Sequence, residues 1–146
     1  MVRKADRNDL PVLAELAALM WPHHSVEDLT SEFSAILENG QSQFFLKYEN
    51  GSPVGFAQCQ LRHNYVQGTS TSTSPVGYLE GIFVKEGCRH KGYAKALLAA
   101  CEAWARERGC REFASDCDID NAESLRFHLA MNFTEANRII CFTKRL

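Results

Sequence analysis

The stretch Gly77-Tyr78-Leu79-Glu80-Gly81-Ile82-Phe83-Val84 is followed by Arg89-His90-Lys91-Gly92-Tyr93-Ala94, and the change of periodicity across this junction constrains the fold more than any other feature. Upstream, the residues suit a strand bent near a glycine. Downstream, Ala94, Leu97, Leu98, Cys101, Trp104 and Ala105 recur on one side of a helix. A strand that enters a helix through such a connection makes an anion cradle. Gly92 would allow close approach, and the unpaired amides of the first helical turn would receive phosphate oxygens. Arg89, His90 and Lys91 would add positive potential at the rim. An ordinary solvated connection has the same composition, so the spacing alone leaves both readings open. The chain has no G-x-x-x-x-G-K-[ST] run and lacks the full dinucleotide fingerprint, so nothing points to nucleotide hydrolysis.

A chain of 146 residues supports one substantial core. No shift in composition divides it, so residues 1–146 read as a single α/β domain. The formal net charge is -2, which argues against a strongly basic nucleic-acid module. The chain opens without an apolar secretion segment and its helix candidates carry regular charges, which suits a cytoplasmic protein with no membrane partner. The six cysteines, Cys59, Cys88, Cys101, Cys110, Cys117 and Cys141, form no C-x-x-C pair. Most fall in candidate core elements, as reduced thiols would. His23, His24, His63, His90 and His128 make no linear metal motif, and no metal is expected.

Elements alternate along the chain. Val2, Arg3 and Lys4 suit an opening strand, and Asn8 or Asp9 can cap a helix that runs to about Met20, with Pro11 in its first turn. Trp21-Pro22-His23-His24 interrupts it. Ser25 with Asp28 can then cap a second helix to about Leu37. Residues 43–49 and 54–61 read as a hairpin closed by Asn50-Gly51. Residues 68–75, rich in Ser and Thr, form either a lid or a surface connection. Gly109 stops the long helix, residues 112–116 read as a strand with a polar end, and Asn121 can start a shorter helix. Ile139-Ile140-Cys141-Phe142-Thr143 is expected to finish the sheet or to pair two subunits through its edge.

Taken together, residues 78–133 resemble the core of the GCN5-related N-acetyltransferase (GNAT) superfamily. Over nearly its whole length the chain is similar to the aminoglycoside 6'-N-acetyltransferases. Trp21-Pro22-His23-His24-Ser25 resembles their early substrate-side segment and residues 78–84 their central strand. Residues 112–116 and 121–133 resemble their later half. The resemblance implies a GNAT fold, a mixed central sheet splayed into an acetyl-coenzyme A groove and flanked by helices. It also implies acetyl-coenzyme A as co-substrate, with no tightly bound cofactor, and an aminoglycoside acceptor acetylated directly in a ternary complex. A homodimer is a further expectation from the resemblance.

The resemblance also distributes roles. The pyrophosphate would meet Arg89, His90, Lys91, Gly92, Tyr93 and Ala94. Phe83 and Val84 would lie along the pantetheine arm, Val84 through its backbone amide, and Asn121 would stand at the start of the donor-side helix. Glu80 and Asp116 are the carboxylates for a polycationic acceptor, with Asp118 and Asp120 steering it more weakly. Asp116, through water and with Glu80, would accept or relay the amine proton. Trp21, His24 and Tyr65 are candidates for the sugar-facing wall, although a core role explains Trp21 equally well.

Two positions depart from the superfamily pattern. His128 stands where many members have a tyrosine that protonates the thiolate, and it is either that donor or a packed histidine. Asn132 replaces the glycine before Phe133, and asparagine tolerates a left-handed helix end. Acetyl transfer to a polyamine or peptide amine, and a non-catalytic acetyl-coenzyme A sensor, are the alternatives.

Overall fold

The computed structural model describes residues 1–64, 66–69 and 75–146. Five strands form one sheet in the order β1 (Val2–Lys4), β2 (Ser42–Glu49), β3 (Ser52–Arg62), β4 (Val76–Val84) and β5 (Phe113–Ala114). The first three pairings are antiparallel and β4–β5 is parallel. The β2–β3 turn forms at Asn50 and Gly51, with φ of 50° and 79°. These are the left-handed conformations that this dipeptide adopts at low cost.

Alternation along β2 sends neighbouring side chains to two cores. Phe44 and Leu46 join Phe56 against α1 (Leu10–Met20) and α2 (Val26–Glu38), where Leu13, Leu29 and Phe33 are buried. Phe45 joins Ala57 and Cys59 against α3 (Tyr93–Glu107), where Leu97, Cys101 and Trp104 close the other face. With helices on both sides, β2 and β3 carry near-continuous apolar runs. The fourth helix, α4 (Ala122–Ala130), buries none of its residues.

The helix starts differ in detail from expectation. A short 3-10 turn, Arg7–Asp9, precedes α1 and is capped by Asp6; Asp9 takes the N-cap position of α1 itself, but its side chain caps none of that helix's amides. Asp6 accepts from the Asn8 amide at 2.8 Å, while Asp9 accepts from the Asp6 amide and from Arg3 at 2.7 and 2.8 Å. The Arg3 guanidinium holds the Asp9 carboxyl below the usual carboxylate range. Ser25 caps α2 as expected, accepting from Asp28 N–H. Gly109 and Asn132, at φ of 85° and 70°, end α3 and α4.

Two strand expectations are corrected. The strand placed at residues 112–116 is only Phe113–Ala114, because β5 finds its partners at Gly77 and Tyr78 and then leaves β4. The segment 139–143 forms no strand and adds nothing to the sheet. From residue 132 onward the chain has no helix or strand, and Ile140 and Phe142 are 80% and 90% exposed. Cys117 and Cys141 are exposed as well, outside the core expected for most of the thiols. Among the described residues, no helix is long and apolar enough to cross a membrane.

Candidate functional site: a cleft where two strands part

The last β4–β5 partners are Tyr78 and Ala114, yet β4 continues to Val84. The sheet therefore opens into a wedge beyond Tyr78, with the start of α3 at its wide end. A β-bulge lies near the narrow end. Gln58 faces Gly81 and Cys59 faces Leu79, so Glu80 is the extra residue on β4. A bulge of this kind re-aims the side chain it carries.

Glu80 is held from β3. Gln60 and Arg62 both donate to its carboxylate, Arg62 at 2.8 Å. The Arg62 guanidinium also lies over the Tyr78 ring, 3.5 Å from its centroid. Tyr78 in turn donates its hydroxyl hydrogen to Asp116. Burial, together with that bond, pushes the Tyr78 phenol well above its ordinary value, so it remains a donor. The two carboxylates singled out in the sequence are thus joined through Arg62 and Tyr78. On the far side of Glu80, a pocket of about 200 Å³ is lined by Trp21, His24, Glu32 and Gln58. Trp21 packs close over Gly81, where a Cβ would come within 3.0 Å of its ring. It also meets Phe56 edge-on, so it serves as core anchor and pocket wall together.

At the wide end, His90 and Gly92 take left-handed conformations with φ of 64° and 80°. Gly92 is the N-cap of α3, and no side chain caps that helix. Its first-turn amides are the donors that an anion would use. The basic side chains are deployed differently from the rim expected for them. Arg89 donates to the Val84 carbonyl at 2.9 Å and braces the end of β4, with Phe83 beneath it. Lys91 pairs with Glu49 at 2.8 Å, and Tyr93 donates to the same carboxylate at 2.6 Å. Lys91, aided by Tyr93, holds Glu49 down to about 2. His90 remains exposed, and Ala94 is half-buried against the α3-side core.

Asn121 accepts from the Ser124 amide at 3.1 Å and caps α4 with its side chain. His128, one turn beyond Ser124 on α4, is held on both sides. Its Nδ1 lies 2.7 Å from the Ser124 carbonyl and its Nε2 lies 2.8 Å from the Ser115 hydroxyl. The Phe127 and Phe133 rings meet it edge-on. Asp118 and Asp120 are exposed in the connection that follows β5. Tyr65 and most of the Ser/Thr-rich segment lie outside the described residues. Among the described residues, no three histidine, cysteine or acidic side chains converge as a metal site would require.

Gln60, Arg62, Tyr78 and Ser115 were missed in the sequence reading. A signal did exist, because Gln58, Gln60 and Arg62 occupy alternate positions of a strand that is otherwise apolar. That alternation marks one face as polar before any pairing is known.

The model of the acetyltransferase (GNAT) family matches residues 11–133. The chain belongs to this family. Its full-length similarity reaches further, to curated proteins named aminoglycoside N(6')-acetyltransferase type 1. The one from Serratia marcescens is 37% identical over 147 aligned positions, covering 100% of this chain and 99% of the relative. The one from Stenotrophomonas maltophilia is 38% identical, covering 97% and 90%. Among solved structures, this GNAT chain is similar to AAC(6')-Iy in complex with the bisubstrate analog CoA-S-monomethyl-acetylneamine. The TM-score is 0.94 at 36% identity, with 100% and 98% covered. It is also similar to the 6'-N-acetyltransferase AAC(6')-Ih from Acinetobacter baumannii, with a TM-score of 0.92 at 33% identity and 100% and 98% covered.

Proposed function

We propose that this GNAT acetyltransferase moves an acetyl group from acetyl-coenzyme A to the 6'-amine of an aminoglycoside, directly and within a ternary complex. The observation that carries this reading is the wedge between β4 and β5. An uncapped helix start lies at one end and two tethered carboxylates lie at the other. The first favours a phosphate-bearing donor and the second a cationic acceptor.

In this reading the donor pyrophosphate sits on residues 89–94 and the pantetheine arm runs along Phe83 and Val84, with Asn121 at the start of α4 across the cleft. Arg89 holds the end of β4 in place, and Gly92 permits the approach. The Val84 amide polarises the thioester carbonyl. The acceptor ring rests on Trp21 and His24, and its ammonium groups are drawn to Glu80. Asp116, oriented by Tyr78, accepts the amine proton directly or through water as the nitrogen attacks. His128 serves the departing thiolate. Six unpaired cysteines suit a reducing compartment, and we place the protein in the cytoplasm.

The experiment is a panel of aminoglycosides, polyamines and peptides, read by thiol release and product mapping. Acetylation at the 6'-amine is expected. Turnover restricted to polyamines or peptides would replace this acceptor, and donor binding without turnover on any amine would make the protein a sensor.

The same proposal includes a homodimer. Residues 134–146 carry Ile139, Ile140 and Phe142 into solvent beside an open groove of about 1070 Å³ lined by Val66, Tyr78, Phe113 and Phe133. An extended arm that carries apolar side chains next to an open groove of mixed polar and apolar lining, which Ser115, Asp116 and His128 also wall, suits reciprocal exchange with a second copy. Solution mass over a concentration series should give a dimer, and Ile140→Asp with Phe142→Asp should give a monomer. A wild-type protein that is monomeric throughout the series would overturn the dimer.

A further inference from the structure

The hydrogen bonds of His128 define its proton inventory. The Ser124 carbonyl can only accept, so Nδ1 carries a hydrogen and donates to it. That leaves Nε2 as the only exchangeable ring position, and the Ser115 hydroxyl occupies it at 2.8 Å. His128 therefore has no free nitrogen to offer to a ligand in the cleft. Ser115 follows Ala114, the last residue of β5 that pairs with β4. Its oxygen lies 3.5 Å from the Leu79 carbonyl, at the point where the two strands separate.

We infer that Ser115 is the group that protonates the departing coenzyme A thiolate, with His128 resupplying it. This rests on the donor reading above, which runs the thioester between β4 and β5.

The geometry permits two arrangements of the pair. With a neutral imidazole, Ser115 donates its hydroxyl hydrogen to Nε2. With an imidazolium, Nε2–H donates to the Ser115 oxygen and the hydroxyl hydrogen is released. A protein acceptor within its reach is then the Leu79 carbonyl, 3.5 Å away and at the outer limit of hydrogen bonding. A developing thiolate in the cleft would be a stronger acceptor than that long contact. The step balances in atoms and charge. As the acyl carbon–sulfur bond breaks, its electron pair goes to sulfur. The Ser115 hydroxyl proton moves to sulfur to give the thiol, and the Nε2 proton moves to the Ser115 oxygen to restore the hydroxyl. Neutral imidazole remains and is reprotonated from solvent. The acceptor's own proton leaves on the Asp116 side. Ser115 touches the reacting atom in this scheme, and His128 is a relay and positioning residue.

The chemistry of the leaving group supplies a test that a merely structural role would not satisfy. A selenolate is stable without its proton at neutral pH, so an acetyl-seleno-coenzyme A donor has little need of a proton source. With acetyl-coenzyme A, Ser115→Ala should lower kcat about 100-fold, the lower end of what a general acid contributes. With the selenium donor the deficit should shrink to within about 3-fold. His128→Gln should follow the same pattern, and Ser115→Thr, which keeps the hydroxyl, should restore most of the rate. Equal deficits with both donors, or no deficit with either, would overturn the role of Ser115. Each variant is assayed with an aminoglycoside and with a polyamine. Wild-type turnover on the polyamine alone would sink the acceptor reading, while the ratio between donors would still decide the role of Ser115.

Discussion

Residues 1–110 and residues 111–146 are built on different terms. The first part holds both cores, with Phe33, Phe44, Phe56, Leu97 and Trp104 out of contact with solvent. No residue after Cys110 is buried. The second part nevertheless carries Asp116, Asn121 and His128 of the proposed site. A scaffold that supplies its own stability leaves the other segment free to be arranged around the proposed ligands and the proposed second copy. Burial is thereby confined to the first part, while the proposed site draws on both. The wedge is their boundary, with Glu80 on the scaffold side and Asp116 on the other.

Substitutions on the two sides should separate accordingly. Phe44→Ala should cause the largest change. Its ring lies tilted against that of Phe33, with centroids 4.6 Å apart, and a buried phenylalanine truncated to alanine loses about 3–5 kcal/mol. The unfolding free energy should fall by that amount and the denaturant midpoint with it, while the folded fraction keeps its kcat. Asp116→Asn should do the reverse. Turnover is expected to fall about 100-fold, equivalent to ~2.7 kcal/mol of barrier, with an unchanged melting temperature. A drop in melting temperature with near-native turnover would break the division at its centre.

A smaller effect tests the scaffold's edge. Arg3 lowers the Asp9 carboxyl, so the pair contributes stability above the unfolded value of about 3.9 and loses it as pH falls through the lowered one. The stability gap between wild type and Asp9→Asn should be present at pH 7, at most ~1 kcal/mol for so exposed a partner. It should close on acidification below about pH 4. A gap that persists at low pH would mean that Asp9 acts through packing or capping alone.

The difference between the two parts also governs what the sequence disclosed. Helices with an apolar stripe and the Asn50-Gly51 hairpin were legible because their signals are local. Asn132 was legible as a left-handed helix end for the same reason. Asp6 was passed over as a cap because Asn8 and Asp9 carry equally good capping side chains. The run Ile139-Ile140-Cys141-Phe142-Thr143 has strand composition but finds no strand partner among the described residues, and pairing is not a local property. Within the site, Glu80 and Asp116 were visible as carboxylates at strand irregularities. Arg62 and Tyr78 were not, because their role depends on the β3–β4 register. The reach of Lys91 to Glu49 was equally hidden, since it joins positions far apart in sequence.

The bulge at Glu80 has a consequence for the whole of β4. Leu79 packs in the core under α3, and so do Ile82 and Val84, while Phe83 packs against the core under α1 and α2. Leu79 and Val84 differ in parity yet point the same way, so the strand changes phase at Glu80. Each half of β4 obeys two-residue alternation, but the halves are offset by one. Deleting Glu80 would remove the offset and leave the other side chains on their own faces, because Leu79, Ile82 and Val84 would then fall on alternate positions with Phe83 between the last two. Mutating the carboxylate and deleting its residue are therefore different experiments. One changes the charge that the bulge presents in the proposed acceptor site, and the other removes the bulge while the rest of the strand keeps its faces.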